Sequence, residues 1–194
     1  MMTRNKTLIA IGLLMLALIT ISTLYLKPNN GLQPVELGGE FQGKSIDGDV
    51  SLSDFRGKLV LLYFGYTSCP DICPTSLTSM KFAFNELTGD QIAQIQPIFY
   101  SVDPDRDSLE QLQVYSNFFS PLILGMTGSR DQIDRAIKQY GAYYRMVEQP
   151  DSAMGYTVDH SSKIYLIDQK GEFLGTVSHN NPNQLVEKIR SILQ

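Results

Sequence analysis

Cys69 and Cys73 are the only two cysteines of the 194-residue chain, and each is followed directly by a proline in "SCPDICPTSL". Such a pair is open to three chemistries: a structural disulfide, a redox-active dithiol, or part of a soft-metal site. A disulfide would close a very short loop and add little by loop closure, in a chain long enough to build its own core. Oxidoreductase dithiols usually have two intervening residues, and here there are three. Thiolates suit Cu(I), and imidazole completes common copper sites. The chain offers only His160 and His179 for that role.

The prolines constrain where the sulfurs sit. Inside a helix, Pro74 would clash with the carbonyl of residue 70 and remove a hydrogen bond, whereas the first helical position accepts it. The helix is therefore expected to begin near Pro74 with Cys73 as its cap. Cys69 to Cys73 then forms a loop over a helix start, where backbone N–H groups and the helix dipole favour a thiolate.

The elements around this loop follow from hydrophobic patterning. "KLVLLYFGYTS" (58–68) and "IQPIFYSVD" (95–103) are dense apolar runs of the kind found in strands buried on both faces. Between them, Leu77, Met80, Phe84 and Leu87 recur at helical spacing until Gly89. "SLEQLQVYSNFF" reads as a helix capped by Ser108. "PLILGMTGS" reads as a third strand and "RDQIDRAIKQYG" as an amphipathic helix ending at Gly141. "KIYLIDQKGEFLGTVSH" reads as a hairpin turning at Asp168–Gly171, and Pro182 opens a closing helix. Strands alternating with helices imply parallel crossovers, and the hairpin adds antiparallel strands. The expected fold class is α/β, a mixed central sheet flanked by helices, resembling thioredoxin.

In thioredoxin-like folds the loop before that hairpin lies beside the cysteine loop and usually carries a proline; here Asp159-His160-Ser161 occupies the place. His160 would complete an S, S, N triad, while His179, at the far end of the second hairpin strand, should point elsewhere. Thr67, two residues before Cys69, also suggests a thiol peroxidase, but the proline and arginine that such a site needs are not in place.

Residues 1–7, with Arg4 and Lys6, precede an uncharged stretch, Leu8 to Leu26. As a helix this stretch would span about 28 Å, close to the roughly 30 Å of a bilayer core. A single transmembrane anchor is expected at 8–26, the basic start staying in the cytoplasm. A cleaved signal peptide is the competing reading. The run is long for one, and bulky residues stand where a cleavage site wants small ones. The Pro-, Gly- and Asn-rich 27–39 reads as a linker and 40–194 as the folded domain. The net charge of −4, with no run of Lys or Arg, argues against nucleic acid as a partner.

"YFGYTSCPDICPTSL", "SVDPDRDS" and "YTVDHSSKIYLID" resemble the Sco (SenC) family of copper-binding proteins that assist assembly of the CuA centre of cytochrome c oxidase. The resemblance covers nearly the whole chain. It implies that Cys69, Cys73 and His160 bind one copper ion, as Cu(I) or Cu(II), and that the cysteines can cycle between dithiol and disulfide. It implies a metallochaperone rather than an enzyme and agrees with an anchored, outward-facing domain. The short basic start, without the Arg- and Ser-rich stretch of a transit peptide, favours a bacterial inner membrane, the domain facing the periplasm or cell exterior. The partner implied is cytochrome c oxidase subunit II, joined by a further periplasmic copper chaperone or thiol reductase. A reductase acting on the cysteines of the receiving subunit is the alternative. Asp103 or Asp159 is expected to orient the imidazole from behind, a role as open on sequence as that of turn former or helix-start residue.

Overall fold

The computed structural model describes residues 13–22 and 36–194 of the chain. It divides into two units, Met1–Glu36 and Leu37–Gln194. In the first, residues 13–22 are helical (α1). The remainder of the expected anchor, the start of the chain and most of the expected linker lie outside the described residues. Among the described residues no helix is long and apolar enough to cross a membrane.

The second unit is built on a five-stranded mixed sheet. Its strands are β3 (Leu59–Gly65), β4 (Ile95–Ser101), β5 (Leu124–Met126), β8 (Lys163–Ile167) and β9 (Phe173–Ser178), in the order β5-β4-β3-β8-β9. β3, β4 and β5 run parallel, while β8 is antiparallel to both β3 and β9. All seven residues of β3 are buried, as an uninterrupted apolar run in a central strand requires. The helices are α2 (Ile72–Asn85), α3 (Gly89–Ala93), α4 (Leu109–Phe119), α5 (Arg130–Gln139) and α6 (Pro182–Ile192). Leu77, Met80 and Phe84 form the buried stripe of α2, and Leu185, Val186 and Ile189 that of α6. Local chemistry sets several helix starts. Ser108 accepts the backbone N–H of Gln111, and Pro182 lies in the first turn of α6.

Two antiparallel hairpins stand outside the central sheet. β1 (Gln42–Ser45) pairs with β2 (Gly48–Ser51), leading into a 3-10 turn at Leu52–Phe55. β6 (Tyr144–Glu148) pairs with β7 (Tyr156–His160) in a separate two-stranded sheet. This second hairpin corrects the expectation of a loop before β8. His160 is the last residue of a strand, opposite Tyr144.

Candidate metal centre

The β3 strand ends at Gly65, and the chain then loops over the start of α2 before entering it. The helix begins at Ile72, with Asp71 as its N-cap, so it starts two residues before the point expected from Pro74. Proline is tolerated here because the N–H groups of a helix's first turn have no intrahelical acceptor. Cys73 is thus in the helix, not its cap. No side chain of Asp71 caps the helix. The Cys69 sulfur accepts the Cys73 N–H instead, at 3.4 Å. A helix-start amide that would otherwise be orphaned is paired with a thiolate.

The structure brings Cys69, Cys73 and His160 together. His160 Nε2 lies 3.3 Å from Cys73 Sγ and 3.9 Å from Cys69 Sγ. The three donor atoms fall within 4.8 Å of one another. Metal bonds of about 2.3 Å to sulfur and about 2.0 Å to imidazole nitrogen reach across both sulfur–nitrogen separations. Cys73 is fully buried, Cys69 nearly so, and both are free thiols. A groove of about 390 Å³, lined by Tyr66, Cys69, Pro70, Ile72, Val158 and His160, opens the site to solvent.

The ring of His160 is held from several sides. Tyr63 and Tyr66 meet it edge-on, with centroids 6.1 and 5.7 Å away. Its Nδ1 faces the Ser161 carbonyl at 3.1 Å. A proton on Nδ1 satisfies that carbonyl and leaves the Nε2 lone pair directed at the sulfurs, the state a metal ligand needs. The expected orienting carboxylates are therefore corrected. Asp159 is exposed and paired with Arg145 at 2.9 Å. Asp103 is fully buried but bonds Arg106 and the Tyr156 hydroxyl. A strand residue's carboxylate alternates away from its neighbour's side chain, which is why Asp159 cannot serve.

His179 stands apart from the triad, its Nδ1 facing the Ser162 carbonyl at 3.0 Å. Thr67 is tied to Asp107, hydroxyl to carboxylate at 2.6 Å. Sequence reasoning passed over Tyr63, Tyr66 and Gly65. A Cβ on Gly65 would lie 2.7 Å from Cys73 Sγ and 2.7 Å from a Phe99 ring carbon, so the sulfur occupies the space of a missing side chain. The repeated aromatic residues of "YFGYTS" were the available signal.

The two thiols differ electrostatically. The hydrogen bond from the Cys73 thiol holds Cys69 well below the ordinary thiol range, helped by the backbone N–H groups of Cys73 and Asp71. Burial pushes Cys73 up, reinforced by its role as donor to Cys69. At about pH 6 an ordinary thiol, with a pKa of about 8.5, is almost wholly protonated. Iodoacetamide is nonetheless expected to modify Cys69 readily there and to spare Cys73, as peptide mass mapping would read. Equal modification of both would contradict the asymmetry. Since the Cys69 pKa falls on folding, its stabilisation is complete above the unfolded-state value. It declines as the pH drops toward the folded-state value.

The family model described as SCO1/SenC matches residues 29–194. The chain belongs to the SCO1/SenC family. It is 37% identical over 168 residues to mitochondrial protein SCO2 of Saccharomyces cerevisiae, an alignment covering 86% of this chain and 56% of the yeast protein. Thus it spans little more than half of that relative's length. A SCO2-like protein of Rickettsia conorii is 38% identical over 159 residues, covering 81% of this chain and 77% of the relative. Among solved structures, Bradyrhizobium japonicum ScoI with copper bound superposes with a TM-score of 0.72 at 33% identity, covering 80% of this chain and 99% of that one. BsSco superposes with a TM-score of 0.62 at 25% identity, covering 82% and 95%; it is described as a member of the Sco family of cytochrome c oxidase assembly proteins with a disulfide switch. The Sco-like fold and the family placement agree with the mixed sheet and the thiol–imidazole cluster above.

Proposed function

We propose that this SCO1/SenC protein is a copper metallochaperone. It holds one copper ion as cargo through Cys69, Cys73 and His160 and takes part in cytochrome c oxidase assembly, passing the ion to the CuA site of subunit II. The observation that carries this reading is the convergence of two sulfurs and one imidazole nitrogen within 4.8 Å. Two thiolates and an imidazole form a soft donor set suited to Cu(I). Tyr63 and Tyr66 hold the imidazole, the Ser161 carbonyl fixes its tautomer, and the helix start supports the Cys69 thiolate. The groove beside Cys69 and His160 leaves room for an incoming donor to engage the ion before these ligands release it. The uncharged stretch at 8–26 fits an anchor in a bacterial inner membrane, with the copper domain on the outer side.

Anaerobic titration of the reduced full chain is expected to show one equivalent of tightly held Cu(I). His160→Ala is expected to weaken that binding at least about tenfold. Undiminished affinity in His160→Ala would remove the imidazole from the site.

A second reading is favoured by the Cys69/Cys73 asymmetry and by the disulfide switch described for BsSco. Cys69 thiolate attacks a disulfide sulfur of the receiving subunit and expels one of its thiolates, giving a mixed disulfide. Cys73 then loses its proton and attacks the Cys69 sulfur, releasing the second thiolate. The partner gains two electrons, and this chain is left with a Cys69–Cys73 disulfide. Copper-free protein reducing a disulfide-bonded CuA domain at the same rate with and without His160 would support this reading over copper delivery.

A further inference from the structure

The stretch "SVDPDRD" (101–107) stands between the two halves of the donor set. On one side Asp107, almost fully buried, accepts the Thr67 N–H at 3.0 Å and the Thr67 hydroxyl at 2.6 Å. Ser101 donates a third bond to it at 2.5 Å. Thr67 is two residues before Cys69, so Asp107 fastens the cysteine loop to the turn after β4. On the other side Arg106 reaches the hairpin that carries His160. Its Nη1 donates to the carbonyls of Tyr156 and Met154 at 2.9 and 3.3 Å. Its guanidinium lies 3.7 Å over the Tyr156 ring and 5.6 Å from the centre of the Tyr66 ring. Its Nε meets Asp103 at 2.5 Å, and Asp103 in turn accepts the Tyr156 hydroxyl at 2.7 Å. Arg130 braces the same turn from outside, through the Val102 carbonyl and Asp105.

These bonds matter because β6–β7 shares no ladder with the central sheet. A two-stranded hairpin is marginal by itself, so side chains must fix its place. Other polar tethers reach it as well: the Tyr144 hydroxyl bonds Asp134 of α5 at the strand position opposite His160, and the backbone of Val158 bonds the Tyr66 side chain. Tyr156 opens β7 and His160 closes it, so a shift at one end is carried along one short strand to the other.

We propose that Arg106 is a positioning residue for His160, fastening β7 to the same turn that holds the Cys69 loop through Asp107 and so setting the imidazole against the sulfurs. The proposal rests on the copper reading above, but its structural half is testable without metal.

The test uses the full chain carrying Arg106→Lys or Tyr156→Phe, each alone and combined with His160→Ala. Lysine keeps the charge beside Asp103 but cannot span Asp103 and the hairpin carbonyls together. Arg106→Lys is expected to weaken Cu(I) binding about tenfold, in the range for residues that orient metal ligands. In the His160→Ala background it should change affinity less than about twofold, because its effect passes through that imidazole. In copper-free protein it should speed amide exchange across 156–160 and move the His160 ring proton signal, while leaving exchange in α2 unchanged. Tyr156→Phe should act in the same direction with a smaller effect. Equal losses in both backgrounds, or unaltered exchange across 156–160, would overturn the proposal. A wild-type chain that takes up no copper would sink the copper reading instead, and the exchange and ring-proton measurements would still decide the role of Arg106.

Discussion

Cys73→Ala is expected to lower Cu(I) affinity by more than about 100-fold, beyond the roughly 10–100-fold typical of residues that only orient ligands. Cys73 is the fully buried donor and the one nearer His160 Nε2, at 3.3 Å. Removing it leaves one sulfur and one nitrogen 3.9 Å apart at the mouth of the groove. Two donors with a single thiolate charge no longer enclose a soft cation. The substitution also takes away the thiol that donates to Cys69, so the Cys69 pKa should rise toward the ordinary value and its alkylation at about pH 6 should slow. Competition against a chromophoric Cu(I) chelator would measure the first effect, and alkylation kinetics the second. Affinity retained within tenfold would place the copper elsewhere.

Asp103→Ala is expected to destabilise the folded domain by about 3–5 kcal/mol, the usual cost of removing one partner from a buried ion pair. The carboxylate is fully buried between Arg106 Nε and the Tyr156 hydroxyl. Without it the Arg106 guanidinium keeps its charge in a half-buried setting, where Nη2 already has no hydrogen-bond partner. Asp159→Ala is the control, because its pair with Arg145 is exposed on both sides and such pairs contribute about 0–1 kcal/mol. Urea unfolding of the two variants side by side should separate them clearly. Similar midpoints would mean that the Asp103–Arg106 pair contributes little to folding.

Much of this architecture is readable in the chain because its signals are local. The buried runs of β3 and β4, the Ser108 cap and the proline at the start of α6 each follow from neighbouring residues. The donor triad was reached differently: the cysteines declared themselves by spacing, but His160, 87 residues from Cys73, was placed only through the loop arrangement of a thioredoxin-like fold. What escaped notice is long-range. The β6 strand alternates weakly and is half-exposed, so its pairing with β7 leaves little trace in patterning. The role of Arg106 depends on carbonyls 48 and 50 residues distant. Pro74 misled by two positions because the first turn of a helix tolerates proline at more than one place.

The absent side chain at Gly65 bears on oxidative damage. Oxidation of a thiolate adds oxygen atoms to sulfur, stepwise and, beyond the first, irreversibly. Cys73 Sγ already presses into the volume that a Cβ on residue 65 would claim, a space that the Phe99 ring also borders. On that side of the sulfur no room remains for a bound oxygen. The inner sulfur is shielded by fit as well as by its protonation, and peroxide should spend itself on Cys69, where the nearby Cys73 can resolve the adduct into a disulfide that reductants reverse.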